Sequence, residues 1–176
     1  MELFAEKGFD STTVVEITER AGLTERTFYR HFADKREVVF AGAAELERVL
    51  LENIESVVGT MTPFEAVTAT LCAGAETFFD DRRDLVRWRQ DIIDVNVDLQ
   101  ERELIKLASI ASALADALHR SGVDVATAEL SAESGVTVFR IAFDRWVRED
   151  GATTLSQSIR LLAARLAGIV DLSTRS

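Results

Sequence analysis

Residues 13–35 read TVVEITERAGLTERTFYRHFADK. This stretch encodes two short helices with a sharp turn between them. Val14, Ile17 and Ala21 fall at helical spacing and give the first helix one apolar face. Thr13 and Glu16 stand in the S/T-x-x-E/Q relation in which each side chain satisfies a backbone N–H at a helix start. Gly22 supplies a position that tolerates positive φ, where a helix can stop abruptly. Leu23 is expected to fill the angle between the helices. Thr24 can then accept from the first turn of the next helix. That helix, Glu25 to Phe32, is expected to hide Phe28 and Phe32 and to show Arg26, Thr27, Tyr29, Arg30 and His31. A helix, a short turn containing Gly and a second helix with a polar face make a helix-turn-helix, the motif that reads the DNA major groove.

The wider run EKGFDSTTVVEITERAGLTERTFYRHFADKREVVFA resembles the DNA-binding region of TetR-type transcriptional repressors, from Leu3 to about Ala41. The resemblance rests on several linked features. They are the GF before the first motif helix, the TTV entry, the ERAGLT turn, the TFYRHF recognition helix and the DK opening the next helix. It implies an all-α, TetR-like fold with a helix-turn-helix DNA-binding domain at residues 1–42 and a helical ligand-binding and dimerisation domain at 43–176. It also matches Thr27, Tyr29 and Lys35 to positions that contact phosphate in the family. Val15 departs from the family pattern, since many relatives carry Arg or another polar residue there. The segment MELFAEKGF gives only about two turns of helix before Gly8. That is shorter than the family's first helix and lacks its basic arm, so the N-terminus is expected to be incomplete.

Charge is the main argument against a nucleic-acid partner. The chain has a net charge of −10, and residues 1–40 hold six Lys and Arg against eight Asp and Glu. Position outweighs the total, because Arg26, Arg30, Lys35 and Arg36 cluster at the proposed reading edge. Phosphate neutralisation depends on such local cations, so binding is expected to be modest and salt-sensitive. Within the edge, Thr13, Thr27, Tyr29 and His31 offer groups to phosphate oxygens. Lys35 adds its charge at a helix start, where the dipole also favours phosphate. Arg26 and Arg30 are the expected base readers, since a guanidinium can pair both major-groove acceptors of guanine, and Glu25 can accept from cytosine or tune Arg26.

The rest of the chain is helical in pattern. A single Pro among 176 residues, with 47% hydrophobic residues, favours helices around a sizeable core. One helix is expected to run from Asp34 to about Val58, with Val39, Ala43, Leu46, Leu50, Ile54 and Val57 as its buried stripe. Thr62-Pro63 is a helix start, and Asp80-Asp81 is expected to cap another. Leu85, Trp88, Ile92, Val95 and Leu99 form one stripe, and Leu104, Leu107, Ala111, Leu114 and Leu118 a second, with a break between them near 96–103. Asp124 to about Glu149 is apolar over a wide arc, as expected of a helix buried on more than one side. A last helix spans about 153–171, and the tail from Ser173 is expected to fray. The last two helices are expected to form the homodimer interface.

Phe78, Trp88, Phe139, Phe143 and Trp146 are candidate ligand-binding residues, because small-molecule sites are mostly apolar with a few polar groups. Arg82, Arg83, Arg87 and Arg89 could add positive charge for an anionic head. The RRDLVRWR segment and the DRW ending at Trp146 are similar to a TetR subgroup, some of whose members respond to acyl-CoA-like effectors. The implied partners are an operator duplex, a second copy of the chain and an unknown effector that is apolar or acyl-CoA-like. The alternative is a helical carrier of small molecules that has lost DNA reading. No Ser-His-Asp order, HExxH, Walker loop or GxGxxG is present, so no catalytic residue, cofactor or metal is assigned. The one cysteine, Cys72, lies in an apolar run and reads as a small buried hydrophobe. No apolar run reaches the ~20 residues that span a bilayer, no signal peptide is visible, and the expected location is the cytoplasm.

Overall fold

The computed structural model describes residues 2–173, and every regular element among them is an α-helix. In chain order they are α1 (Glu2–Lys7), α2 (Val14–Ala21), α3 (Glu25–His31), α4 (Lys35–Val39) and α5 (Ala43–Val57). Then follow α6 (Pro63–Phe78), α7 (Arg83–Asp94), α8 (Val97–Arg120), α9 (Val125–Arg148) and α10 (Leu155–Ser173). Of the tail expected to fray, residues 174–176 lie outside the described residues, and Ser173 closes α10.

Local signals set most of the starts. Thr62 accepts from the Glu65 amide, and Glu65 in turn accepts from the Thr62 amide at 2.9 Å, with Pro63 at the first turn of α6. Asp34 accepts from the amides of Arg36 and Glu37 and so caps α4, as its position predicts. Asp80 departs from expectation. The start of α7 has no side-chain cap, and Asp80 instead accepts from the Leu155 and Ser156 amides and the Ser156 hydroxyl. It caps α10, a helix 75 residues away.

The expected helix from Asp34 to Val58 is two helices. The chain breaks at Phe40–Gly42, where Gly42 takes φ 93°, a conformation that needs no Cβ. Phe40 turns into the core there and is 5% exposed. The apolar repeat runs on across the break, which is why periodicity alone does not show it. In α7 the stripe is shifted by one residue: Val86, Ile92 and Ile93 are buried, whereas Leu85 and Val95 face solvent. The expected break after α7 falls at Val95–Asn96, at the opening of the predicted window.

Helix α6 is central, packing on α5, α9 and α10. It buries residues on more than one side, including Ala66, Val67, Leu71, Cys72 and Ala75. One core cluster joins α5, α6, α8 and the first half of α9, around Leu50, Ile54, Val67, Leu114 and Leu118. A second joins α6 to the end of α9 and to α10, around Phe143, Trp146, Leu155 and Ile159. Each such large side chain contributes about 1.5–3 kcal/mol on burial. A third cluster unites Phe4 and Phe9 with Val39, Phe40, Ile92, Ile93 and Leu99. It takes residues from both sides of position 42, so the N-terminal helices share a core with α7 and α8. Burial pushes the Cys72 thiol up to about 11, in keeping with its role as a packing residue.

Gly135 of α9 lies directly on α6, and a Cβ there would run into Val67 Cγ1 in the packed interior. Gly135→Ala should lose ~1–3 kcal/mol of stability in urea unfolding. Gly151→Ala, where a Cβ meets nothing within 4 Å, should change it by less than ~0.5 kcal/mol. Equal effects would contradict the close approach of α6 and α9.

Candidate nucleic-acid interface

The two motif helices are held by the devices their sequence announces. Thr13 accepts from the Glu16 amide, and Glu16 Oε2 accepts from the Thr13 amide at 2.9 Å. Lys7 pairs with the other Glu16 oxygen at 2.6 Å, and Arg20 pairs with Glu6 at 2.8 Å, so two ion pairs tie α1 to α2. Both pairs are solvent-exposed and each contributes little alone. At the far end of α2, Gly22 adopts φ 65°, and the amides of Gly22 and Leu23 return to the carbonyls of Glu19 and Thr18. This closure uses up carbonyls that the helix end would otherwise leave unpaired. Leu23, expected in the angle between the helices, is 51% exposed. The inward positions are Thr18 and Phe28, with Ile17 packed on the third core cluster.

Helix α3 begins with Thr24 accepting from the Thr27 amide at 3.2 Å, and the two hydroxyls are 3.0 Å apart. Phe28 anchors it, with Tyr29 edge-on at 5.3 Å and Phe32 at the same centroid distance. The remaining residues form an exposed polar face: Glu25, Arg26, Tyr29, Arg30 and His31, with Thr27 half-buried behind them. Arg26 and Glu25 make no hydrogen bond or ion pair among the described residues. Arg30 is partly committed, because its Nε donates to His31 Nε2 at 3.4 Å. Thr13 is exposed at the start of α2. Lys35 alone among the predicted contact residues points inward, with Nζ donating to the carbonyls of Phe9, Asp10 and Thr12.

The predicted ligand residues fall into separate places. Phe139, Phe143 and Trp146 do meet, with Phe79 as a fourth ring at 5.8–6.0 Å from Phe143 and Phe139. Trp88 packs instead on the third cluster, beside α4, and Phe78 joins neither group. The buried Trp146 Nε1 has no hydrogen-bond partner among the described residues. The arginines of α7 are structural. Arg83 donates to the carbonyls of Gly151 and Thr153, and Arg87 to that of Val147 while pairing with Asp150, so they clamp the α9–α10 connection. Arg89 donates to the Val39 carbonyl at 2.9 Å. A cleft of about 440 Å³ lies between α4 and α8, lined by Arg36, Glu37, Asp98, Arg102 and Lys106 among others. A second, of about 300 Å³, lies between α8 and α9 and is lined by Ala111, Asp116, His119, Ala128 and Glu133 among others. Neither contains the predicted ligand residues. No described helix is long and apolar enough to cross a membrane.

An exposed, capped helix-turn-helix on an all-α body is the arrangement found in helix-turn-helix DNA-binding proteins. Residues 1–41 match the family described as bacterial regulatory proteins, tetR family. The HTH-type transcriptional regulator TcmR of Streptomyces glaucescens is 33% identical over 73 residues, 42% of this chain and 32% of that protein. YerO of Bacillus subtilis (strain 168), an uncharacterised HTH-type transcriptional regulator, is 30% identical over 106 residues, 57% of this chain and 36% of its own length. The chain thus spans about a third of the curated relatives it matches. Among solved structures, Thermus thermophilus FadR, a TetR-family repressor in complex with lauroyl-CoA, aligns at TM-score 0.60 and 19% identity. That alignment covers 94% of this chain and 88% of FadR. PfmR, a TetR-family regulator from the same organism, aligns at TM-score 0.52 and 21% identity, covering 93% and 91%. These two likenesses show the fold alone. The match to the tetR family is confined to residues 1–41, and both curated relatives are named as HTH-type transcriptional regulators.

The capping of α2 has a pH signature. Hydrogen bonds from Lys7 and from the Thr13 amide and hydroxyl hold the Glu16 carboxyl down from 4.5 to about 2. A carboxylate depressed in the folded state stabilises it fully above the unfolded value, and that contribution is lost as pH falls through the folded one. The Thr13 amide resonance should therefore titrate near pH 2 in an NMR acid series. A midpoint near 4.5 would show that the capping box does not form.

Proposed function

We propose that this protein is a homodimeric, ligand-responsive transcriptional repressor that binds a pseudo-palindromic operator. The observation that carries the reading is the exposed polar face of α3, presented by a motif in which both helix starts and the end of α2 are capped. Arg26 is the principal base reader, because among the described residues no side chain holds its guanidinium, which can pair with guanine O6 and N7. Arg30 is a second reader restrained by His31. Thr13, Thr27, Tyr29 and His31 contact phosphates, and Glu25 accepts from cytosine or orients Arg26. Two copies place their α3 helices in successive major grooves, about 34–36 Å apart.

Dimerisation uses α9 and α10. Support comes from the apolar side chains these helices leave exposed: Leu130 and Ile141 on α9, and Leu161, Ile169 and Val170 on α10. The effector is apolar or acyl-CoA-like. The structural likeness to a lauroyl-CoA-bound repressor supports this class, as do the Phe79, Phe139 and Phe143 rings beside the unpaired Trp146 N–H. An apolar site with one or two polar groups is the usual form of such a pocket. The effector acts by binding one head spacing more tightly than the other. The protein works in the cytoplasm, where its DNA is.

Fluorescence anisotropy on duplexes tiling the region upstream of its own gene tests the reading. One duplex should bind at least ~10³-fold more tightly than mixed-sequence DNA, the usual lower bound for specific sites. Arg26→Ala should cost ~1–3 kcal/mol on that duplex and relax the choice of a single base pair. Equal affinity for every duplex would overturn it. A thermal-shift series of fatty acyl-CoA chain lengths should raise Tm for a subset; no shift for any length would remove this effector class.

A further inference from the structure

We infer that Lys35 is a positioning residue of the reading head, not a phosphate ligand; the inference rests on the DNA-reading assignment and deepens it. Lys35 is the first residue of α4, yet its ammonium reaches back across the motif to the loop joining α1 to α2. Nζ donates to the Phe9 carbonyl at 2.8 Å and to the carbonyls of Asp10 and Thr12 at 3.0 Å each. An ammonium has three N–H groups and no acceptor, so these three bonds consume its whole donor capacity. The Phe9 ring lies beneath it, 4.6 Å from centroid to nitrogen, and Phe9 is itself buried against Phe4 at 5.2 Å. Charge, ring and carbonyls make a closed cradle.

The loop needs this cation. Its carbonyls belong to no helix, and buried or half-buried backbone acceptors require partners. Thr12 closes the loop from the other side: its hydroxyl donates to the Gly8 carbonyl at 2.8 Å and the Leu3 carbonyl at 3.3 Å. Thr13, the residue that starts α2 and faces the proposed phosphate, follows immediately. Lys35 therefore fixes where α2 begins relative to α4, and the orientation of α3 between them follows. An arginine at this position would keep the charge, but its planar fork cannot direct three donors around one axis.

The phosphate-ligand and cradle roles give opposite results for two substitutions. Amide hydrogen exchange without DNA reads the cradle directly. In Lys35→Met, and also in Lys35→Arg, exchange at Thr12 and Thr13 should accelerate at least ~10-fold, because a hydrogen bond to a charged group is lost. Wild-type protection in both variants would overturn the inference whether or not the protein binds DNA. Anisotropy with a mixed-sequence duplex over a salt series gives the second reading. Losing a phosphate contact lowers the slope of log K against log salt by ~0.9 per chain. Under the cradle role both variants bind more weakly with the wild-type slope. A Lys35→Arg protein that binds as well as wild type, or a Lys35→Met slope reduced by ~0.9, would restore the phosphate role. If Lys35→Met does not fold, the Lys35→Arg arm decides alone. Failure of wild type to bind any duplex would count against the DNA-reading assignment, and the exchange result would still judge the cradle.

Discussion

Arg89 of α7 holds the end of α4, and the placement of the reading head depends on that hold. Its Nε donates to the Val39 carbonyl at 2.9 Å, at the point where α4 stops. Its guanidinium lies over the Phe40 ring at 5.0 Å and pairs with Glu103 of α8 at 3.3 Å. Burial pulls the Arg89 pKa down while Glu103 pushes it back up, and an arginine remains charged throughout. Leaving that charge without Glu103, or the Val39 carbonyl without a donor, would expose a poorly solvated group, which costs more than the bond itself contributes. One side chain thus ends α4, seats Phe40 in the third core cluster and lets α5 leave in a new direction.

Around that anchor lies a mesh of weaker ion pairs. Arg36 pairs with Asp34 and Asp98, Arg102 with Glu37 and Asp34, and Lys106 with Glu37. Near Asp34, burial acts to raise the carboxyl pKa, but the Arg36 and Arg102 charges and the Glu37 amide outweigh it and leave it lowered. Each pair is partly wet and modest alone; together they press α4 against α8. The head is consequently joined to the body through packing and charge at α4, not through an unbroken rod. That gives a physical meaning to the short α4 and to Gly42 beside it.

The parts of this arrangement written in the sequence are those decided within one turn of helix. Thr13 with Glu16, Gly22, Thr24, Asp34 and Thr62 with Pro63 each act on their neighbours, and each does what its spacing announces. The break at Phe40–Gly42 is hidden because Val39 and Ala43 keep helical spacing across it. The phase of α7 escapes the pattern because a repeat of three and four admits neighbouring registers, and tertiary packing selects Val86 and Ile93 over Leu85 and Val95. Lys35, Asp80 and the α7 arginines are illegible for a different reason. Their backbone partners lie 23 to 76 residues away, and nothing local marks which backbone group a charged side chain will reach. For the ligand candidates, shared aromatic character does not imply a shared place: Trp88 serves the joint, while Phe139, Phe143 and Trp146 serve the body.

The most direct test of this account is a spin-label distance from the head to the body. Labels at Arg26→Cys on α3 and Glu129→Cys on α9, in a Cys72→Ala background and diluted with unlabelled protein, report the pose of one head on its own body. With Arg89 present the account predicts one narrow distance distribution. Arg89→Met should broaden it while a label pair confined to the body stays narrow. An equally narrow distribution in Arg89→Met would contradict the claim that this arginine sets the head's placement.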